Sequence, residues 1–308
     1  MHNRRKRKKT NKFRKENQLL TIMTVSVSVF AIIFLLFIFA KNDFNIRTMI
    51  PDESNSTSTS DNNIESVEFP ELQGKASALL MAVSASGDYQ RFCALIQIDL
   101  DNKNYEICSF PVNTVISGKT VGAIYSESGP SGVRDAFSSL LEIPIDRYIC
   151  VTEPNFKKFV SYLGNVQYTF PDHIKYSGSG EDFFSLRIKS GEQTLTGDQM
   201  IKLCRYSGEI QKDFKLQNEL LLEMIAQGMS EENYADGELL FKKLVNVVKT
   251  DMTVSDFTNN VESLSVLTDD NYTMNLVTVE TDGNYSEAGF EISGKMKKNI
   301  QKTFEQDE

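Results

Sequence analysis

Residues 78–111 read ALLMAVSASGDYQRFCALIQIDLDNKNYEICSFP, and this stretch decides the fold class. Ala78–Ser84 is a short apolar run. Phe92–Leu100 and Tyr105–Pro111 are two longer ones, separated by Asp101-Asn102-Lys103-Asn104. Turn-forming residues between two apolar runs read as a β-hairpin. Beyond it the period changes: Val133, Ala136, Phe137, Leu140 and Leu141 recur at the spacing of one helical face. Arg147–Thr152 is a short strand. Pro154 then suits a helix's first turn, Phe156, Phe159, Val160 and Leu163 form that helix's apolar face, and Gly164 its stop. Thr196 with Gln199 is a capping box for a helix to about Arg205. Leu216–Ile225, ending near Gly228, and Leu239–Val248 read as further helices, Thr253 with Asp256 as the cap of a short one. Tyr272–Thr281 alternates like a strand, and a polar helix follows Ser293. Strands interleaved with helices on this scale predict an α/β domain, an α-β-α layering with a central mixed sheet flanked by helices.

Upstream of that domain the charge is strongly asymmetric. Residues 1–17 carry nine Lys/Arg against one acid, Glu16, and Leu19–Ala40 contains no charged residue. As a helix those 22 residues would span roughly 33 Å, the thickness of a bilayer's hydrocarbon core. The run is too long for a signal-peptide core, and its exit, Phe37-Ile38-Phe39-Ala40-Lys41, lacks a cleavage pattern. The expected organisation is a cytoplasmic basic tail (1–17), one transmembrane signal anchor (18–40), an extracellular polar linker (41–71) and an extracellular domain (72–308). Basic residues beside a span set its orientation and touch anionic lipid. A nucleic-acid partner is therefore not expected, although Lys/Arg runs can also bind phosphate. The totals are 33 bases and 42 acids; without the tail, 24 bases and 41 acids remain, a net of −17. Such an exterior repels polyanions unless a local basic surface receives them.

Several chemistries are excluded or disfavoured. Two His and four Cys in 308 residues leave little for histidine catalysis, a zinc site or a disulfide scaffold. Cys93, Cys108, Cys150 and Cys204 fall in apolar runs and read as buried thiols; around the 101–104 turn, Cys93 would face a residue near 112 rather than Cys108. Ser177-Gly178-Ser179-Gly180 reads as a turn, since no helix start follows it, and His173 has no evident partner.

Four segments, in order, resemble the LytR–CpsA–Psr family of envelope proteins. They are Ala94–Pro111, ending in Ser109-Phe110-Pro111; then Glu142-Ile143-Pro144-Ile145-Asp146-Arg147-Tyr148, with Asn155-Phe156 and Leu163-Gly164-Asn165-Val166 behind it. Gly191, Gln193, Leu195, Gly197 and Gln199 follow, leading into Arg205-Tyr206, and last comes Val248-Lys249-Thr250-Asp251-Met252-Thr253. The resemblance covers about residues 76–258. It implies the transfer of a polyprenyl-pyrophosphate-linked glycopolymer to peptidoglycan, with arginines and carboxylate-held Mg²⁺ at the diphosphate and an apolar channel for the prenyl chain.

Carried over residue by residue, most of that clamp is replaced. The family's Pro-Arg-Asp is here Pro111-Val112-Asn113, and its acid at the start of the preceding strand falls on Arg91. Its Arg-x-Arg is Arg205-Tyr206-Ser207. Lys119 matches a family lysine, and Lys215 stands where the family has further arginines. No arginine follows Arg205. The resemblance therefore implies ligand binding at Arg91, Lys119, Arg205 and Lys215, no confident catalytic group, and no metal. Weakened or lost catalysis is the expectation, with three alternatives open: a non-catalytic module for a lipid-linked glycan or an envelope-assembly enzyme, an active phosphotransferase with a rebuilt cation site, and a nucleic-acid-binding regulator.

Overall fold

A computed structural model describes residues 74–88, 90–179, 183–229, 237–253, 266–269 and 272–304. The basic tail, the apolar run and the linker lie outside these residues, as does the helix expected after Thr253. Among the described residues no helix is long and apolar enough to cross a membrane.

Six strands form the central sheet, in the order β11-β6-β1-β2-β3-β12. Strands β1 (Lys75–Val83), β2 (Gln90–Asp99) and β3 (Asn104–Phe110) make an antiparallel meander. β6 (Arg147–Thr152) joins β1 in parallel, β11 (Lys249–Thr250) pairs antiparallel outside β6, and β12 (Asn275–Thr278) runs parallel to β3. The sheet is mixed, as expected.

Both faces of the sheet are covered, which is why β1 and β2 are buried along nearly their whole length. Leu80, Phe92 and Ile96 face one layer: α2 (Glu153–Tyr162), α3 (Gly197–Arg205), α4 (Lys215–Gly228) and α5 (Gly237–Val245). Leu79, Met81 and Leu95 face the other: α1 (Val121–Leu141) and α6 (Gly294–Thr303). There the Phe110 and Phe137 rings lie 4.5 Å apart.

Several expectations need correction. The first helix begins at Val121, not near Val133: Thr120 caps it, and Gly129 (φ 67°) with Pro130 kinks it, so the regular face appears only after the kink. The fifth helix stops at Val245, where the chain turns into β11. Only Asn275–Thr278 of the alternating 272–281 segment pairs; a hairpin, β13 (Gly283–Ser286) with β14 (Gly289–Ile292), follows it. Three more two-stranded ladders were not anticipated: β4–β5 (Val115–Ile116, Lys119–Thr120), β7–β10 (Val166–Phe170, Gly191–Leu195) and β8–β9 (Ile174–Ser177, Ser185–Ile188). Cys93 faces Phe110, because the four-residue turn is Leu100–Lys103, one residue earlier than expected. All four cysteines are free and buried, and burial pushes their thiols up.

A buried polar group sits where β2, β3 and the end of α6 meet. Glu106 is 4% exposed, accepts from Gln97 Nε2 (2.9 Å) and Asn104 Nδ2 (3.2 Å), and its carboxyl is pushed up to about 7, chiefly by burial. In the unfolded chain this group ionises near its ordinary value, so folding is favoured most at acid pH. Stability then falls as pH rises through the window up to about 7. Glu106→Gln should remove that slope. It should also stabilise the domain at pH 8 by about 1–3 kcal/mol, with no gain at pH 4, as read from urea midpoints. The new amide can donate to Gln97 Oε1, which has no partner in the wild type.

Candidate functional site

The resemblance segments divide into residues that brace the sheet and residues that replace charge. Asp146 fixes the entry to β6: its carboxylate accepts from the Ser77 backbone N–H (3.0 Å) and from Ser77 Oγ (3.2 Å) on β1. Asp251 holds β6 to α1, accepting from the Tyr148 N–H (3.1 Å) and from Arg134 Nη1 (2.5 Å). Thr250 Oγ1 donates to the Tyr148 carbonyl (2.8 Å). Thr196 and Gln199 make the reciprocal capping box that starts α3. Gly197 lies against α2 so closely that a Cβ would stand 2.5 Å from Lys157 Cα.

The residues expected to meet a ligand sit on four different elements, β2, β5, α3 and α4. Arg91 is buried at the start of β2, its Nε 3.1 Å from Glu153 Oε2 at the first position of α2. Arg205, 5% exposed at the end of α3, directs Nε to both oxygens of Glu209 (3.1 and 3.3 Å) and lays its guanidinium over the Phe184 ring, 4.4 Å from the centroid. Lys119 is 55% exposed on β5, with Nζ 2.6 Å from Glu127. Lys215 is 77% exposed at the start of α4 and stands 3.9 Å from Glu219. Each of the four thus has a carboxylate neighbour.

Between them runs a neutral network. After Arg205 the chain makes one π-helical turn, Tyr206–Gln211, closed by Lys212 in the left-handed region. Ser207 Oγ, buried within it, donates to the Asp213 carbonyl and accepts from the Gln217 N–H (3.3 Å). Gln217 Nε2 donates to Ser109 Oγ (2.8 Å) at the end of β3, and Thr281 Oγ1 donates to the Ser109 carbonyl (2.7 Å). Beside it Asn218 Nδ2 donates to the Val279 carbonyl (3.4 Å), while its Oδ1 has no partner. Val112 is half-buried and Asn113 exposed in the turn after β3; the Asn113 carbonyl accepts from Phe290 N (3.1 Å). Hydroxyls and amides, joined to one another, occupy the segments where the sequence resemblance leads one to expect guanidinium groups.

Two cavities lie nearby. One, about 280 Å³, opens where β1 and β6 end, among Val83, Tyr125, Cys150, Thr152, Asn155 and Lys249. The other, about 560 Å³, lies between β7, α4 and β12 and is lined by Glu192, Glu219 and Glu223. There Tyr168 donates to Glu219 (2.5 Å), and burial pushes its hydroxyl up. None of Arg91, Lys119, Arg205 or Lys215 lines either cavity.

Mg²⁺ requires a near-octahedral set of hard oxygen donors, usually including carboxylates. Where the sequence resemblance places acids, this chain has a buried guanidinium, Arg91, and an exposed amide, Asn113. Among the described residues no group of three or more His, Cys, Asp or Glu could hold an ion. These residues do not fit the metal.

A central mixed sheet with a parallel β1–β6 joint, covered by helices on both faces, defines the class of fold. A profile of the LytR_cpsA_psr family matches residues 44–307, and the chain belongs to that family. Among curated relatives, the polyisoprenyl-teichoic acid–peptidoglycan teichoic acid transferase TagV of Bacillus subtilis is 25% identical over 187 residues, 56% of this chain and 48% of that protein. TagU of Bacillus licheniformis, named for the same activity, is 28% identical over 193 residues, 58% of this chain and 61% of its own length. The matches thus span about half to three-fifths of those proteins. The crystal structure of B. subtilis TagV superposes with a TM-score of 0.57 at 20% identity, covering 76% of this chain and 98% of that one. TagT bound to LIIa-WTA gives 0.54 at 15% identity, over 79% and 93%.

Sequence reasoning missed the network of Ser109, Gln217, Asn218 and Thr281, which is assembled across more than 170 residues. It also missed Glu209, although its i+4 spacing from Arg205 is a readable ion-pair signal. Gln217→Leu should strand the buried Ser109 hydroxyl and destabilise the domain by about 1–3 kcal/mol in urea denaturation. Lys215→Ala, removing an exposed and distant pair, should cost less than about 0.5 kcal/mol.

Proposed function

We propose that this chain is a membrane-anchored envelope protein, its folded domain outside the cell, that engages a polyprenyl-linked glycopolymer or an envelope-assembly enzyme with weakened or lost transferase activity. One observation carries the reading. The buried guanidinium of Arg205 is held by Glu209 and Phe184, beside neutral Ser207 and Gln217. Moving a glycosyl-phosphate from a diphosphate requires concentrated positive charge on the transferred and leaving phosphates. A guanidinium already neutralised by a carboxylate supplies less of it. Losing one preorganised donor in such a site costs about 2.7–4 kcal/mol, roughly 10²–10³ in rate, and here several positions are exchanged at once. Anchoring follows from the uncharged run Leu19–Ala40 and the basic tail before it.

The decisive measurement compares the reconstituted full chain with TagV on a prenyl-pyrophosphate-linked glycan, a peptidoglycan oligosaccharide acceptor and Mg²⁺. Transfer about 10³-fold or more below TagV is expected, together with co-purification of a prenyl-linked glycan or an envelope enzyme. Comparable transfer abolished by Arg205→Ala would overturn the reading in favour of a rebuilt cation site.

A further inference from the structure

We propose that the outer face of α6 is a docking track for the phosphate groups of an anionic glycopolymer, separate from the Arg205 region. This rests on reading the chain as a glycopolymer-handling envelope protein. The helix Gly294–Thr303 reads GKMKKNIQKT, with four lysines and no acid. Met296 and Ile300 are buried against α1 and the sheet, and Phe304 continues that buried side just past the helix. At about 100° per residue, Lys295, Lys298, Asn299 and Lys302 share the opposite side, and all four are exposed. Lys297 lies on the flank and is engaged by Glu142 (2.8 Å).

Lys295, Lys298 and Lys302 make no ion pair among the described residues. Elsewhere Lys75, Arg91, Lys119, Arg134, Lys157 and Arg205 each have a carboxylate partner. The exposed Lys158, Lys175 and Lys189 also show no ion pair among the described residues but lie on separate elements; α6 differs in lining up three such lysines on one helical face. The helical rise sets successive ammonium groups about 4.5 and 6 Å apart along the axis. An extended polymer with one negative charge per repeat can follow such a row.

The location suits this role. The β13–β14 hairpin that leads into α6 is fixed to the turn after β3 by Phe290 N donating to the Asn113 carbonyl (3.1 Å). Ser293, the N-cap of α6, donates to Asp282, next to the Thr281 that binds Ser109. The far end reaches Gln97, which donates to the Thr303 carbonyl (3.3 Å). The row therefore runs from the Asn113 turn, past the end of β3, to the level of the Gln97–Glu106 pair within β2 and β3. In a chain whose non-tail part carries −17, a row of exposed lysines with no ion pair among the described residues is a local surface on which a polyanion can be received. A bilayer fits less well, because the outer side of α6 offers no apolar residue to embed.

The test uses the full chain in neutral phosphatidylcholine nanodiscs, with the acidic end Glu305–Glu308 intact. Fluorescent poly(glycerol phosphate) is the probe, and vesicles with phosphatidylglycerol form a parallel arm. The triple variant Lys295→Gln, Lys298→Gln, Lys302→Gln should weaken polymer binding about tenfold or more at low salt, and the difference should vanish near 1 M salt. A control with the same charge change elsewhere, Lys158→Gln, Lys175→Gln, Lys189→Gln, should bind like wild type. Thermal midpoints of both variants should match wild type, since the exchanged side chains contact no core. Equal binding by wild type and the α6 variant overturns the proposal, as does an equal loss in the control or a loss on vesicles alone. The polymer carries no prenyl group, so failure here is distinguishable from failure in the transfer assay.

Discussion

Parallel strands cannot be joined by a tight turn, so the pairing of β1 with β6 must be secured by contacts distant in sequence. In this domain two aspartates do it. Asp146 ties the approach to β6 to Ser77 on β1, and Asp251, arriving more than a hundred residues later, binds the β6 backbone at Tyr148 and the Arg134 guanidinium on α1. Both lie at the sheet rather than in a cleft. With β6 held, β1 and β2 become interior strands, and the helices of both layers have a surface to cover.

This arrangement explains how the chain resembles its family while differing where the family's chemistry is expected. The matching residues are scaffold parts: the aspartate braces, the Thr196–Gln199 cap, and Gly197 at a close helix–helix approach. The residues that the resemblance marks as exchanged include Arg91, paired with Glu153, and Val112, Asn113 and Ser207, near the end of β3. There, neutral donors and acceptors are bonded to one another. Exchanging charge for amide preserves buried hydrogen bonding without the cost of desolvating unpaired ions. A scaffold can therefore persist through such an exchange with little loss of stability.

Strong local signals read correctly from the sequence. The strand Arg147–Thr152 and the helix after Thr196 have the expected limits because an apolar run or a cap fixes each within a few residues. The short ladders β7–β10, β8–β9 and β13–β14 were hidden because they are half-exposed and rich in polar residues. The first half of α1 was hidden by its kink. At the site, the types of the cations were readable, but their partners were not: Glu153 is 62 residues from Arg91, and no local pattern connects them.

The four free thiols have a consequence for how the domain can be watched. Cys93, Cys108 and Cys150 lie beneath α1 and α6, and Cys204 belongs to the layer on the other face. Cys93, Cys108 and Cys204 are fully buried, whereas Cys150 borders the cavity at the ends of β1 and β6; burial holds all four in the protonated, unreactive form. An alkylating reagent reaches Cys93, Cys108 and Cys204 only when a layer lifts. The sulfur atoms are thus built-in timers for the opening of each side, recording separately how often the two helical coats leave the sheet.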